Sequence, residues 1–420
     1  MASPFRERAT AIARLTCSRS AFRSLWLGAL AALAALAACH GSDAVDPPSR
    51  PPGRGDFAPT RTTAEVVVRG TTAYTTTWGN SAAAASVFYI WDVAGQSPVL
   101  VDSVRVEGAT TLGDVAISDD GSLLVIATER SNGGLALYNL ADPRHPTLVA
   151  RYITANTTDG VHTAEIGRVS GRLYGFLAID PGSVRAAHLV IVDLTTPSAP
   201  VEVLNRDIGR PFVHDTFVRD GLLFLALWDD GLAIWDIGGG GAGGTIAAPV
   251  ELGRVRTVNG EVHNVWWLKD PVTGISRYAF VGEEGPGQLG VSSSGDIHVV
   301  DIANLAAPRE VARYTVAGAG THNFSVDEQR GILYAAYYNG GVRALDVRGD
   351  LGTCLDAQRS TPPNGTSALC DLTKMGRELR VDLAGGTNRT YVWGVQYLDG
   401  AVYASDMLNG LWKLPAAVRP

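Results

Sequence analysis

Residues 189–193 read Leu189-Val190-Ile191-Val192-Asp193. This is a short apolar, β-branched strand that stops on an acid. The same form recurs as Phe88-Tyr89-Ile90-Trp91-Asp92, Leu232-Ala233-Ile234-Trp235-Asp236, Ile297-His298-Val299-Val300-Asp301 and Val342-Arg343-Ala344-Leu345-Asp346. Weaker copies end in Tyr138-Asn139 and Trp412-Lys413, which makes seven in all. A period of this kind has to be settled before any other reading of the chain.

The surroundings of each copy repeat as well. A short loop with a proline follows most of them (Pro146, Pro200 and Pro308 are examples), and then another apolar strand. An Asp at a strand end can accept hydrogen bonds from backbone N–H groups of the turn, and Pro there ends the ladder. Upstream lie two more strands, parted by Asp120-Gly121, Asp220-Gly221 or Asp399-Gly400. A second turn leads into the Asp strand, as at Asn132-Gly133, Asp230-Gly231, Asn339-Gly340 and Asn409-Gly410. Asn-Gly and Asp-Gly accept the positive φ of two-residue hairpins. A repeated unit of four antiparallel strands is a propeller blade. The expected architecture is all-β, a β-propeller of about seven blades at 63–107, 113–153, 159–208, 211–257, 261–316, 320–384 and 390–416, with six or eight as the alternative count. The last blade lacks an obvious fourth strand, which residues just before Thr63 are expected to supply.

The string Leu189-Val190-Ile191-Val192-Asp193 resembles the signature of the LVIVD-repeat family, and the resemblance covers nearly all of the chain after the first sixty residues. It implies a secreted or surface-attached bacterial or archaeal propeller and says little about chemistry, because fold does not license function.

The N-terminus carries Arg6, Arg8, Arg14, Arg19 and Arg23 against Glu7, followed by an apolar run from Leu25 to Ala38. A basic region before a short apolar region is the form of a secretory signal peptide, and the run is short for a membrane span. It ends in Leu36-Ala37-Ala38-Cys39, which resembles the bacterial lipobox. The resemblance implies cleavage after residue 38, removal of Cys17 and acylation of Cys39, with His40 favouring the outer membrane. Residues 1–38 are therefore expected to be a signal peptide, 39–62 a lipidated Cys with a Pro- and Gly-rich tether, and 63–420 the propeller. The membrane, reached through the lipid, is one expected partner.

The whole chain has 420 residues, a net charge of −7, 46% hydrophobic and 18% charged residues, 48 Gly and 21 Pro. That mix suits short strands and tight turns and argues against coiled coil or disorder. No basic stripe with interleaved aromatics is present, so nucleic acid is not an expected partner. The four cysteines include no Cys-x-x-Cys pair, and Cys354 and Cys370 are expected to form a disulfide in an oxidising compartment.

One polar feature recurs in register at the start of each blade's first strand: Val161-His162-Thr163, Val213-His214-Asp215, Val262-His263-Asn264 and Thr321-His322-Asn323. Counting back from the inter-strand glycine places Asp114, Trp393 and Thr63 at this position in blades 2, 7 and 1. First strands surround the axis, so His162, His214, His263, His322 and Asp114 are candidate ligands for a transition metal at the hub. The competing reading is structural, with each His bonded to a turn residue such as Asp230, Asn339 or Asn132, or with the neighbouring Asp215, Asn264 and Asn323 bonding locally. Glu283-Glu284, in a Gly-rich loop, reads as solvated, with cation binding as the alternative. Phosphate-binding, nucleophile-elbow and zincin motifs are absent. The expected role is a cell-envelope binding module for a protein, glycan or small molecule. The alternative is a metal-dependent oxidoreductase or hydrolase using the histidines.

Overall fold

A computed structural model of the chain divides it into two units, residues 1–48 and 49–420. The described residues are 62–419, except 80–85, 131, 183–184, 210–211, 272–273, 275, 362–367 and 384–389, and all lie in the second unit. The signal peptide, Cys39, the tether and the expected closing strand before Thr63 fall outside them. No helix among the described residues is long and apolar enough to cross a membrane.

Seven antiparallel sheets follow one another along the chain. Their innermost strands are Thr62–Arg69, Thr111–Ile117, Val161–Val169, Asp215–Arg219, Val262–Trp267, Phe324–Asp327 and Val392–Leu398. These open blades 1 to 7, and the blades match the sequence boundaries closely. Blades 1 to 6 have four antiparallel strands each, and blade 7 has three among the described residues. Blade 5 gains a fifth strand, Cys370–Asp371, parallel to Arg309–Tyr314, and the Cys354–Cys370 disulfide is formed. The Gly-rich stretch after Glu284 folds as a hairpin, Gly285–Gln288 against Ser292–Ser294.

The Asp-terminated strand is the third of its blade. Its function in the fold is visible atom by atom. Oδ1 of Asp92, Asp193, Asp236, Asp301 and Asp346 accepts the backbone N–H two residues on, and Asn139 does the same in blade 2. This side-chain turn satisfies a donor that the ladder leaves open and starts the Pro loop.

Among the described residues, seven large buried clusters each join one blade to the next, and a small eighth joins Tyr338, Tyr391 and Met407. Between blades 3 and 4, Phe176, Leu189 and Ile191 meet Leu223, Leu225 and Trp235. The last of the seven joins Tyr403 and Leu411 of blade 7 to Val66, Val68 and Trp91 of blade 1. Middle strands are thus covered on both faces, which is why Leu189 through Val192 are all apolar and fully buried. Outer strands carry exposed side chains, as in Val99–Arg105. Trp91 and Trp235 belong to these cores, whereas Trp266 also borders the axial channel.

Candidate functional site

His162 and His263 are extra residues in β-bulges of their inner strands. Val161 and Thr163 pair with Ile179 and Ala178, and Val262 and Asn264 with Glu283 and Gly282, leaving the intervening His unopposed. Trp393 occupies the same kind of bulge in blade 7. A bulge re-aims its side chain, here toward the axis. His214 and His322 precede their strands and are fixed by backbone N–H bonds to the carbonyls of Ala226 and Ala336, both 2.8 Å.

The four imidazoles meet at one mouth of the hub. Ring centroids are 4.3 Å apart for His162–His214, 4.0 Å for His214–His263 and 4.1 Å for His263–His322. Trp393 continues the arc 4.4 Å beyond His322. Nε2 of His162 lies 2.9 Å from Nε2 of His214.

A second ring, supplied by the ends of second strands, surrounds the first. It comprises Trp78, Glu129, Asp180, Trp228, Glu284 and Tyr338, one from each of blades 1 to 6. Oε2 of Glu284 is 3.8 Å from Nε2 of His214 and 3.7 Å from Nε2 of His263. On the other side, Nδ1 of His162 is 3.6 Å from Asp180 and 3.9 Å from Glu129. Tyr338 donates its hydroxyl to Glu284, and Trp78 Nε1 donates to Glu129 at 3.4 Å. Trp228 and Tyr338 adopt φ of 53° and 39°, left-handed backbone that is costly for bulky residues and typical of over-determined functional sites. That conformation sets Trp228 in a stack on His214 at 5.3 Å and Tyr338 against His322 at 5.0 Å.

Sequence reasoning found the histidines, held cation binding by Glu283-Glu284 only as an alternative, and missed Glu129 and Asp180. Glu283-Glu284 is not a solvated loop: Glu283 closes the strand Tyr278–Glu283 and is buried, so Glu284 is fixed at the hub. The missed signal was a second register, the residue at or just past the end of each second strand.

Four of the partners named in the structural reading bond elsewhere, whereas Asn264 stays beside His263 and raises it slightly against burial. Asp230 binds Arg256, Asn339 binds Ser293 and the Gly318 carbonyl, Asp215 accepts from Thr216 N–H and Asn323 donates to Glu65. Nδ1 of His162, His214 and His322 and both nitrogens of His263 are buried without a well-formed hydrogen bond, although His214, His263 and His322 are only 7%, 2% and 3% exposed. Buried polar atoms are nearly always satisfied, so a cluster of exceptions calls for a cause. Burial and the neighbouring imidazoles hold His214 and His263 well below the usual histidine range, and burial takes His322 to about 3. These three rings are neutral near pH 7. Burial would lower His162 too, but Glu129 and Asp180 raise it.

Asp114 stands one residue further along than the count from glycine suggests. Gly113 and Asp114 share a bulge, and the histidine place falls to Gly113, where a Cβ would lie 2.6 Å from Glu129 and 2.9 Å from the His162 carbonyl. Asp114 accepts from the N–H groups of Ala164 and Val115. With Glu65, Asp215 and Asn323 it lines both the cavity at the histidines, about 40 Å³, and the axial channel beyond, about 500 Å³. These residues form the layer between the two spaces. Burial, then repulsion from Asp114, raises Glu65 to about 8 and Asp215 to about 7.

Comparison with known proteins agrees with this architecture. The LVIVD repeat family matches residues 184–207 and 291–316, which hold the Asp strands of blades 3 and 5. No curated protein matches the sequence. Among solved structures, Saccharomyces cerevisiae Sqt1 is similar in fold, with a TM-score of 0.54 at 10% identity over 87% of this chain and 85% of that one.

Proposed function

We propose that this seven-bladed LVIVD-repeat propeller is an exported, lipid-anchored binding module, and that its binding site is the histidine-lined mouth of the hub. The observation that carries the reading is the convergence of four imidazoles on one mouth, with several buried ring nitrogens that make no well-formed hydrogen bond. Leaving several such groups unsatisfied costs about 1–3 kcal/mol each, a cost that a bound ligand would offset. The anchor rests on the Leu36-Ala37-Ala38-Cys39 sequence, and the Cys354–Cys370 disulfide suits an oxidising compartment. The cavity of about 40 Å³ beside the histidines has room for an ion or a water.

The test is native mass spectrometry of the full chain, expressed in a Gram-negative host and extracted in detergent. The reading expects acyl mass that Cys39→Ser abolishes, and an occupant that His263→Ala releases. An unacylated chain overturns the anchor. A hub without an occupant in either protein overturns the binding site.

A further inference from the structure

We infer that the hub occupant is a single divalent transition-metal ion, held by His214 Nε2, His263 Nε2 and Glu284 Oε2. This rests on the reading of the hub as a binding site and names its ligand.

The geometry is that of a donor set. The three ligand atoms lie within 4.8 Å of one another, and the two His–Glu284 distances are 3.8 and 3.7 Å. A zinc-like ion at about 2.0–2.1 Å from each donor separates neighbouring donors by roughly 3.3 Å, so each His–Glu284 distance has to shorten by about half an ångström or less. His162 Nε2 lies 2.9 Å from His214 Nε2, beside this set, and His162 groups with Glu129 and Asp180 as a neighbouring cluster of donors.

Two imidazoles and a carboxylate select zinc, cobalt, nickel or copper over magnesium or calcium, which prefer all-oxygen sets. The surroundings fit an outer shell: Tyr338 donates to the other oxygen of Glu284, and a hydrogen bond of that kind fixes the orientation of a ligating carboxylate. His263 strengthens the case, because its Nε2 is buried without a well-formed hydrogen bond and faces Glu284 Oε2.

The test uses the full chain in detergent, stripped with a chelator and titrated with Co²⁺. One equivalent should give ligand-field absorption in the visible, which Zn²⁺ then removes. His263→Ala and the isosteric Glu284→Gln should each weaken Co²⁺ binding on the order of 100-fold or more. A control, His145→Ala, changes an exposed histidine far from any donor set and should bind as the parent does. Circular dichroism and thermal melting check that each variant is folded. The inference is overturned if Co²⁺ gives no visible band, or if folded Glu284→Gln and His263→Ala bind it as tightly as the parent. An organic occupant in the native mass spectrum with no Co²⁺ binding would sink the metal and leave the binding module standing. Neither occupant nor Co²⁺ binding would end both.

Discussion

His298 lies in the third strand of blade 5, fully buried, with Nδ1 2.7 Å from Glu310 and Nε2 3.1 Å from Glu283. Burial opposes its charge, but the hydrogen bonds it donates to two carboxylates outweigh burial and raise it to about 10. It therefore stays cationic and anchors Glu283, whose neighbour Glu284 faces the hub. An unfolded histidine titrates near 6.5. The stabilisation from His298 is thus complete below about pH 6.5 and is lost as pH rises toward about 10. His298→Ala should cost about 3–5 kcal/mol, because it strands two buried acids. Urea melts at pH 7 and pH 10 should show a smaller pH difference in the variant than in the parent; an equal difference would contradict this assignment. His298 was legible only as a letter inside an Asp-terminated strand. The four hub histidines were legible because each sits at the same place in four consecutive blades. Glu129, Asp180 and Glu284 were not, because their strands differ in length and the flanking residues at the equivalent places are Trp and Tyr.

The Asp-terminated strand is where the sequence spoke most clearly, and the physical reason is local. An apolar strand covered on both faces allows little variety, and its last residue must accept the N–H of the turn. Asp236 extends this furthest. Its carboxylate accepts from the N–H groups of Gly238, Gly240, Ala242 and Gly244, so the Gly-rich loop closes around it. Those four donors outweigh burial and hold the acid down at about 2. Asp236→Ala should cost about 2–4 kcal/mol, since it orphans donors bonded to a charge. Chemical denaturation of the variant checks the value, and a change below about 0.5 kcal/mol would show the loop closing without it. The bulges that aim His162 and His263 are the opposite case. They arise from pairing across the sheet, which spacing along the chain does not reveal. The same blindness explains the register of Asp114, displaced by a bulge that takes in Gly113.

At the scale of the whole ring, blade 7 must meet blade 1, and the described contacts show how. Gln396 bridges the seam, its amide accepting from Val68 N–H and donating to the Val68 carbonyl. Lys413 donates to the carbonyls of Val93 and Gly95, each at 2.7 Å. Gln396→Ala should lower stability by about 1–2 kcal/mol and speed proteolysis at the seam in preference to other blade junctions; uniform proteolysis would count against a seam held at this point. Seven blades were countable in the sequence because each carries its own copy of the repeated third strand. The side-chain contacts at the seam were not, because they join residues more than three hundred positions apart. A closed ring is also what brings second-strand ends from blades 1 to 6 around one mouth, so the proposed metal site is a property of the ring as a whole. The most direct measurement is an anomalous difference map at the zinc edge from crystals of the protein grown with Zn²⁺. The account expects one dominant peak bounded by His214 Nε2, His263 Nε2 and Glu284 Oε2. A map with no peak at the hub, or with its zinc only at other sites, would contradict it.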